Sequence, residues 1–209
     1  MKVLHTADWH IGKKLHGYEL LSDQAYILDQ ILKIAQAESV DAIIIAGDLY
    51  DRSIPSEDSV RLLNQTIAKW NLTENIPLLA ISGNHDSATR LATGAPWFNQ
   101  SNFHLHTRLE EAFEPIEMGD TQFYLLPYFE PVDARIYFAD PEIRTIQAAM
   151  PKVIEKLEAS FDKNKKHVLV SHFFVAGSSK TDSETKIEVG GLDGINGQLL
   201  VNFDYVALG

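Results

Sequence analysis

The chain has 209 residues, 45% of them hydrophobic, no cysteine and a net charge of −11. That is enough to bury a full core, and it excludes disulfides, thiolate metal sites and a cysteine nucleophile. No N-terminal stretch has the basic, apolar and small-residue order of a signal peptide, and no apolar run nears the ~20 residues that span a bilayer. The cytoplasm is therefore the expected compartment, and no membrane partner is expected. The acidic balance argues against a broad basic groove for nucleic acid. Bound divalent cations would reverse the local sign at the one place where a phosphate must sit.

Val3-Leu4-His5-Thr6-Ala7 predicts a short buried strand. From Leu21 to Ala37, apolar residues at Ile27, Leu28, Ile31, Leu32 and Ala35 have helical spacing. Ala42 to Ala46 is a continuous apolar run bounded by Gly47, the pattern of a strand covered on both faces. Pro55 and Ser56 open a second helix, with Glu57 and Asp58 in its first turn. Val60, Leu63, Ile67 and Trp70 form its apolar stripe. Pro77 to Ile81 predicts a third strand, and a short helix is expected near Ala88 to Phe98. Alternating strands and helices point to an α/β fold with a largely parallel core.

Phe113 to Met118 and Gln122 to Leu126 flank Gly119-Asp120, a hairpin turn signal. Pro141 to Phe161 reads as one longer helix, and His167 to Val170 as a buried strand ending at Ser171-His172. Ser178 to Gly197 is polar and glycine-rich, a long loop; Tyr205 to Leu208 is a last strand. No repeat or linker interrupts the chain, so one domain over residues 1–209 is expected.

Four segments end strands in residues that bind metals: Asp8-Trp9-His10, Gly47-Asp48, Gly83-Asn84-His85-Asp86 and Ser171-His172. Loops at one edge of an α/β sheet converge on a crevice, which would bring the four together. Asp8 and His10 could both turn toward one ion. Gly47 lets the backbone bend and bring the Asp48 carboxylate forward, where its two oxygens could bridge two cations. Asn84 offers a carbonyl oxygen and His172 an imidazole nitrogen. Oxygen and nitrogen donors without sulfur suit Mn²⁺, Fe²⁺ or Zn²⁺ better than Ca²⁺. Paired ions of this kind clamp a phosphate ester and lower the pKa of a coordinated water. His85 would face the leaving group as a proton donor, with Asp86 as its natural orienting partner. Asp51 either supports His10 or Asp48 from behind or caps the turn. His104-Leu105-His106 is set aside as two residues on one strand face, His5 as a core histidine, and His16 as an exposed loop residue that could touch a DNA backbone.

Asp-x-His, Gly-Asp-x-x-Asp, Gly-Asn-His-Asp and a strand ending in His, in this order, resemble the calcineurin-like metallophosphoesterases. The likeness extends to the SbcD-type nuclease subunits of bacterial SbcCD complexes. It rests on Leu4-His5-Thr6-Ala7-Asp8-Trp9-His10-Ile11-Gly12, on Gly47-Asp48-Leu49-Tyr50-Asp51 with Pro55-Ser56, and on Gly83-Asn84-His85-Asp86-Ser87. Leu125-Leu126-Pro127-Tyr128 and Asp204-Tyr205-Val206-Ala207-Leu208-Gly209 are also similar.

The resemblance implies two packed mixed sheets flanked by helices. It also implies two Mn²⁺ ions: Asp8 and His10 on the first, Asp48 bridging, Asn84 and His172 on the second, with His85 catalytic. The implied activity is exonuclease cleavage at DNA ends and endonuclease cleavage of single strands or hairpins, in repair and recombination. DNA, an SbcC-type ATPase and a second copy of the chain are the implied partners. Dimer contact is expected through the Val60–Trp70 helix and the next one, with Trp97 and Phe98. A His-x-His pair, a capping domain and an ATPase-binding segment would follow Gly209, and the 209 residues alone would then hold metal weakly. Two other readings stay open. One is a phosphomonoesterase or small-molecule phosphodiesterase using the same ions; the other is a dimerisation or docking fragment without activity.

Overall fold

A computed structural model describes residues 1–176 and 194–209. Strand β1 (Val3–Thr6) is followed by a small hairpin of β2 (Lys14–Leu15) and β3 (Tyr18–Glu19), then helix α1 (Leu21–Ala37). Next come β4 (Ala42–Ala46), α2 (Glu57–Ile67) with a π-helical extension over Ala68–Thr73, and β5 (Leu78–Ile81). Two one-turn helices, α3 (Ala88–Leu91) and α4 (Ala95–Phe98), lead to β6 (Phe103–His106). The second half holds β7 (Ile116–Met118), β8 (Thr121–Leu126), α5 (Pro131–Tyr137), α6 (Ile146–Glu158) and β9 (Lys166–Ser171). It closes with β10 (Val175–Ala176), β11 (Ile195–Asn196) and β12 (Tyr205–Leu208).

Two four-stranded sheets carry the fold. The first, in order β1-β4-β5-β6, is parallel throughout. The second, in order β12-β9-β8-β7, is mixed: only the β7–β8 hairpin is antiparallel. Side-chain alternation along each strand builds the layers. In β4, Ile43 and Ile45 join Leu28 and Leu32 of α1, Leu63 of α2 and Trp70. Ala42, Ile44 and Ala46 face the other way and meet Phe123, Leu125, Val168, Val170 and Ala207 of the second sheet. On that sheet's outer face, Tyr124, Leu126 and Leu169 pack on Met150, Val153, Ile154 and Leu157 of α6. Helix, sheet, sheet and helix thus stack in order. A strand covered on both faces must be apolar at every position, hence the unbroken run in β4.

Several sequence expectations change in detail. The Ala88–Phe98 helix is two short helices separated at Gly94, whose φ is 94°. The long helix starts at Ile146, not Pro141. Thr145 caps it by accepting from the Ala148 N–H, while Asp140 folds the preceding segment into a turn by accepting from Glu142. The buried stripe of α2 is Ser59, Leu63 and Thr66, continued by Trp70, and Val60 lies 36% exposed on its shoulder. Most of the loop expected over Ser178 to Gly197 lies outside the described residues; its end forms β11, paired with β10. Helix α5 and the β2–β3 hairpin had no reading in the sequence. No helix among the described residues is long and apolar enough to cross a membrane.

Ile44 lies between the two sheets, fully buried. Shortening it leaves a cavity that neither rigid sheet can close. Ile44→Ala should cost about 2–5 kcal/mol in urea unfolding, whereas Val201→Ala at an exposed site should stay within about 0.5 kcal/mol.

Candidate metal centre

The segments after β1, β4 and β5 leave the carboxyl ends of neighbouring strands of the first sheet. His172 follows β9 of the second sheet. The expectation of a single sheet edge is therefore corrected: the centre spans the ends of both sheets. His172 Nδ1 reaches across to the Ala46 carbonyl at 2.8 Å.

Three residues here combine a left-handed backbone with a polar side chain: Asp8 (φ 54°), His10 (φ 43°) and Asp48 (φ 52°). Asp and His tolerate this region better than most residues. The two loops are stitched together by main-chain bonds. Asp8 N–H donates to Gly47 O (3.1 Å), His10 N–H to Asp48 O (2.9 Å) and Ile11 N–H to Leu49 O (3.0 Å).

Asp48 is the hub, only 2% exposed. Its Oδ1 accepts from the His85 backbone N–H at 2.9 Å. Its Oδ2 has His172 Nε2 at 3.4 Å and His10 Nε2 at 3.5 Å. Asn84 Oδ1 lies 3.0 Å from the same His172 nitrogen, and Asp8 Oδ1 is 3.8 Å from His10 Nε2. Two groups could each hold an ion, their donor atoms within 4.8 Å of one another: His10, Asp48 and His85, and Asp8, Asp48 and His172. Asp48 belongs to both. The grouping puts Asp8 beside His172 and His10 beside His85, and Asn84 joins through His172.

Close approach requires glycine at three positions, one of them Gly209, whose Cβ would stand 2.0 Å from Ala46 O and 2.5 Å from His172 Nδ1. A Cβ on Gly83 would stand 2.1 Å from Asp48 Oδ1, and one on Gly47 2.4 Å from His172 Nδ1.

Asp86 departs from the part expected of it, while Asp51 stays beside His10 as expected and adds a contact to His85. Asp86 takes no share in orienting His85. Its carboxylate accepts the backbone N–H groups of Leu49 (3.0 Å), Tyr50 (2.9 Å) and Gly83 (2.9 Å), locking the Asp48 loop to the His85 loop. His85 Nδ1 instead donates to the Asp51 carbonyl at 3.0 Å, leaving its Nε2 free of that bond. The Asp51 carboxylate lies 3.7 Å from His10 Nδ1.

Gln24 of α1 was missed entirely. It hydrogen-bonds the backbone of Trp9, His10 and Gly12. Its signal was present: Gln24 leads the stripe Leu28, Leu32, Ala35, a polar residue in a buried register. Trp9 packs edge-on against Trp70 at 5.3 Å and donates to Thr6 Oγ1 at 3.0 Å. The His104-Leu105-His106 triplet lies on β6, and His106 Nδ1 bonds the Leu125 carbonyl at 3.2 Å, away from the centre. His16 occupies the turn of the β2–β3 hairpin, exposed.

The charges are mutually dependent. Burial pushes the Asp48 carboxyl up, but the His172 hydrogen bond and charge, the His85 N–H and His10 outweigh it and leave it below the usual range. Burial pushes His172 down, yet Asp48, the Ala46 carbonyl and Asp8 hold it above its ordinary value. Burial lowers His10 despite Asp48, with Lys13 and His85 adding to the effect. Burial raises Asp86 against its three N–H bonds.

The donor set fits cations. With Nδ1 donating to Ala46, the neutral His172 ring turns a lone pair toward a carboxylate oxygen. Two acceptors repel unless a proton or a cation lies between them, and Asp48 Oδ2 faces that situation at His172 Nε2.

The model of the calcineurin-like phosphoesterase family matches residues 1–206. The chain belongs to this family. It is also 41% identical, over all 209 residues, to the SbcD subunit of the SbcCD nuclease of Staphylococcus epidermidis and to that of Staphylococcus saprophyticus. In each case the match covers 56% of the relative, so the chain spans about half the length of the curated relatives it matches. Membership in a phosphoesterase family implies divalent metals, and the shared Asp48 is where such a centre would form.

The Asp48–His172 pair predicts a pH signature in buffer free of divalent metal. A raised imidazole stabilises the fold fully below its unfolded value, about 6.5, and the gain is lost as pH rises through the folded value. A lowered carboxyl stabilises above about 3.9 and is lost as pH falls through its folded value. The unfolding free-energy difference between wild type and His172→Asn should therefore be greatest near pH 5 and shrink toward pH 8. Urea titrations across that range check it.

Proposed function

We propose that this chain is the catalytic part of a metal-dependent DNA nuclease, with two divalent ions, Mn²⁺ by preference, held by Asp8, His10, Asp48, Asn84 and His172. What carries the reading is the single buried Asp48 oxygen with an imidazole nitrogen on each side. The likeness to SbcCD nucleases over all 209 residues supports DNA as substrate. The name of that nuclease, a complex of two kinds of subunit, also supports an SbcC-type ATPase as partner. A role in DNA repair and recombination and a cytoplasmic location complete the reading. A homodimer is part of the same proposal, and the 71% exposed Trp97 supports a contact surface there.

The chemistry such ions supply when bound is charge neutralisation on a phosphate and acidification of a water. The protein's own residues do the rest. Asp48 holds both sides of the centre in register. His85, fixed by the Asp51 carbonyl through Nδ1, presents Nε2 to donate a proton to the departing oxygen. Asp51 and Asp86 act from behind, one on His10 and His85, the other on the two loops.

A small-molecule phosphodiesterase or phosphomonoesterase is the second reading, favoured by the charge of −11. The test uses the gene's full-length product with Mn²⁺ and DNA. His85→Ala should lower DNA hydrolysis by about 10²-fold or more while calorimetry still detects Mn²⁺ at the group of Asp8, Asp48 and His172. Asp48→Ala should lose both. Turnover of cyclic nucleotides or phosphoproteins with DNA untouched would replace the nuclease reading by the second. Retention of DNA cleavage by both variants would remove the centre from the reaction.

A further inference from the structure

We infer that Gln24 is a positioning residue that sets the metal affinity of the centre by clamping the backbone around His10. The inference rests on the metal reading proposed above and concerns a side chain that touches no proposed donor atom.

The segment Asp8 to Gly12 alternates in hand. Asp8, His10 and Gly12 are left-handed, at φ 54°, 43° and 93°. Such a path cannot form a ladder of its own, so its polar groups need outside partners. One edge is satisfied by the next loop: Asp8, His10 and Ile11 donate to Gly47, Asp48 and Leu49. The other edge turns toward α1, where one side chain meets it. Gln24 Nε2 donates to Trp9 O at 3.0 Å and to His10 O at 2.8 Å, and Gln24 Oε1 accepts from Gly12 N–H at 3.0 Å.

The amide is matched to this task. Two hydrogens on one nitrogen serve two adjacent carbonyls, and the oxygen serves the N–H beyond them. No other side-chain type offers that combination at this length. Glutamate keeps the shape and the acceptor but sets an anion against two carbonyls. Leucine keeps part of the volume and loses every bond.

The mounting of Gln24 is firm. It sits in the first turn of a 17-residue helix, with its own N–H bonded to Leu20 O at 2.8 Å. Leu28, Leu32 and Ala35 of the same helix are buried against the first sheet. His10 is thereby held at both main-chain groups, its N–H by Asp48 O and its carbonyl by Gln24 at 2.8 Å and by the Lys13 N–H at 3.0 Å. The imidazole between them has little freedom but rotation, and its Nδ1 has no hydrogen-bond partner. The carboxylates nearest its ring nitrogens stand 3.5–3.8 Å away, so the ring depends on that backbone for much of its aim. Groups that orient metal ligands from outside typically change affinity by 10–100-fold when removed.

The experiment uses the full-length product with Mn²⁺ alone as the probe, read by calorimetry, beside thermal unfolding of the metal-free protein. Gln24→Leu and Gln24→Glu should each weaken Mn²⁺ binding by about 10-fold or more. Both should raise the Mn²⁺ concentration needed for half-maximal hydrolysis, and saturating Mn²⁺ should restore most of the turnover. The two variants should behave alike, because both lose the donated hydrogens. Wild-type Mn²⁺ affinity in folded Gln24→Leu and Gln24→Glu would overturn the inference and leave the metal reading intact. Wild-type affinity in Gln24→Glu with a loss in Gln24→Leu would also overturn it, since shape alone would then suffice. If the wild-type protein binds no divalent ion, the metal reading itself fails, a different result.

Discussion

A carboxylate buried between two imidazoles is the constraint around which this molecule is arranged. Asp48 is 2% exposed, and an isolated charge at that depth would cost several kcal/mol. The cost is offset locally. One oxygen takes the His85 backbone N–H, and the other has His10 and His172 within 3.5 Å. Each of these neighbours is delivered by a different strand end, so the group is only tolerable when all the loops are in place. His172 makes the condition global. It comes from the second sheet yet bonds the Ala46 carbonyl of the first. The apolar layer of Ile44, Ala46, Ile81, Leu125 and Val170 fixes how the sheets lie together, and through it where His172 stands relative to Asp48.

Much of this was legible in the sequence, for definite reasons. Strand β4 announces itself because a strand covered on both faces is apolar throughout. The polar segments announce themselves because each interrupts such a run at its end. The pairing of sheets was legible only through family resemblance, since nothing in the local pattern of β9 says which sheet it joins. Helix α5 stayed hidden because Pro131-Val132-Asp133-Ala134-Arg135-Ile136-Tyr137 is too short for its period to be read. The part played by Asp86 was hidden for a similar reason. Adjacency in sequence suggested that Asp86 serves His85, whereas the chain bends through residues 84–86 and sends the two side chains apart. Asp86 turned back to the Asp48 loop, and the ring found a carbonyl 34 residues away. The separation of sequence neighbours, not their proximity, is what a loop enforces.

Glycine and the left-handed residues show how the same positions serve shape and chemistry. Gly47 and Gly83 leave the space that lets His172 and Asp48 approach. Asp8, His10 and Asp48 adopt a backbone that costs of order 1–3 kcal/mol for residues with a Cβ. Strain of that kind persists only where neighbouring structure over-determines it. Here three inter-loop hydrogen bonds, the three N–H bonds to Asp86 and the bonds to Gln24 do so.

The charge of the chain then takes on a different meaning. A total of −11 opposes a polyanion at long range, but screening limits that repulsion to about 8–10 Å at physiological salt. Inside that distance the centre itself decides. Its carboxylates are an obstacle to a phosphate when empty of cations and the means of binding it when cations are held. Acidity concentrated at such a centre therefore makes phosphate binding conditional on metal, in a way a basic groove could not. A basic groove attracts any polyanion at any time; an acidic centre admits one only after its own ligands have been neutralised. That dependence is the electrostatic logic by which an acidic domain can be proposed to act on DNA.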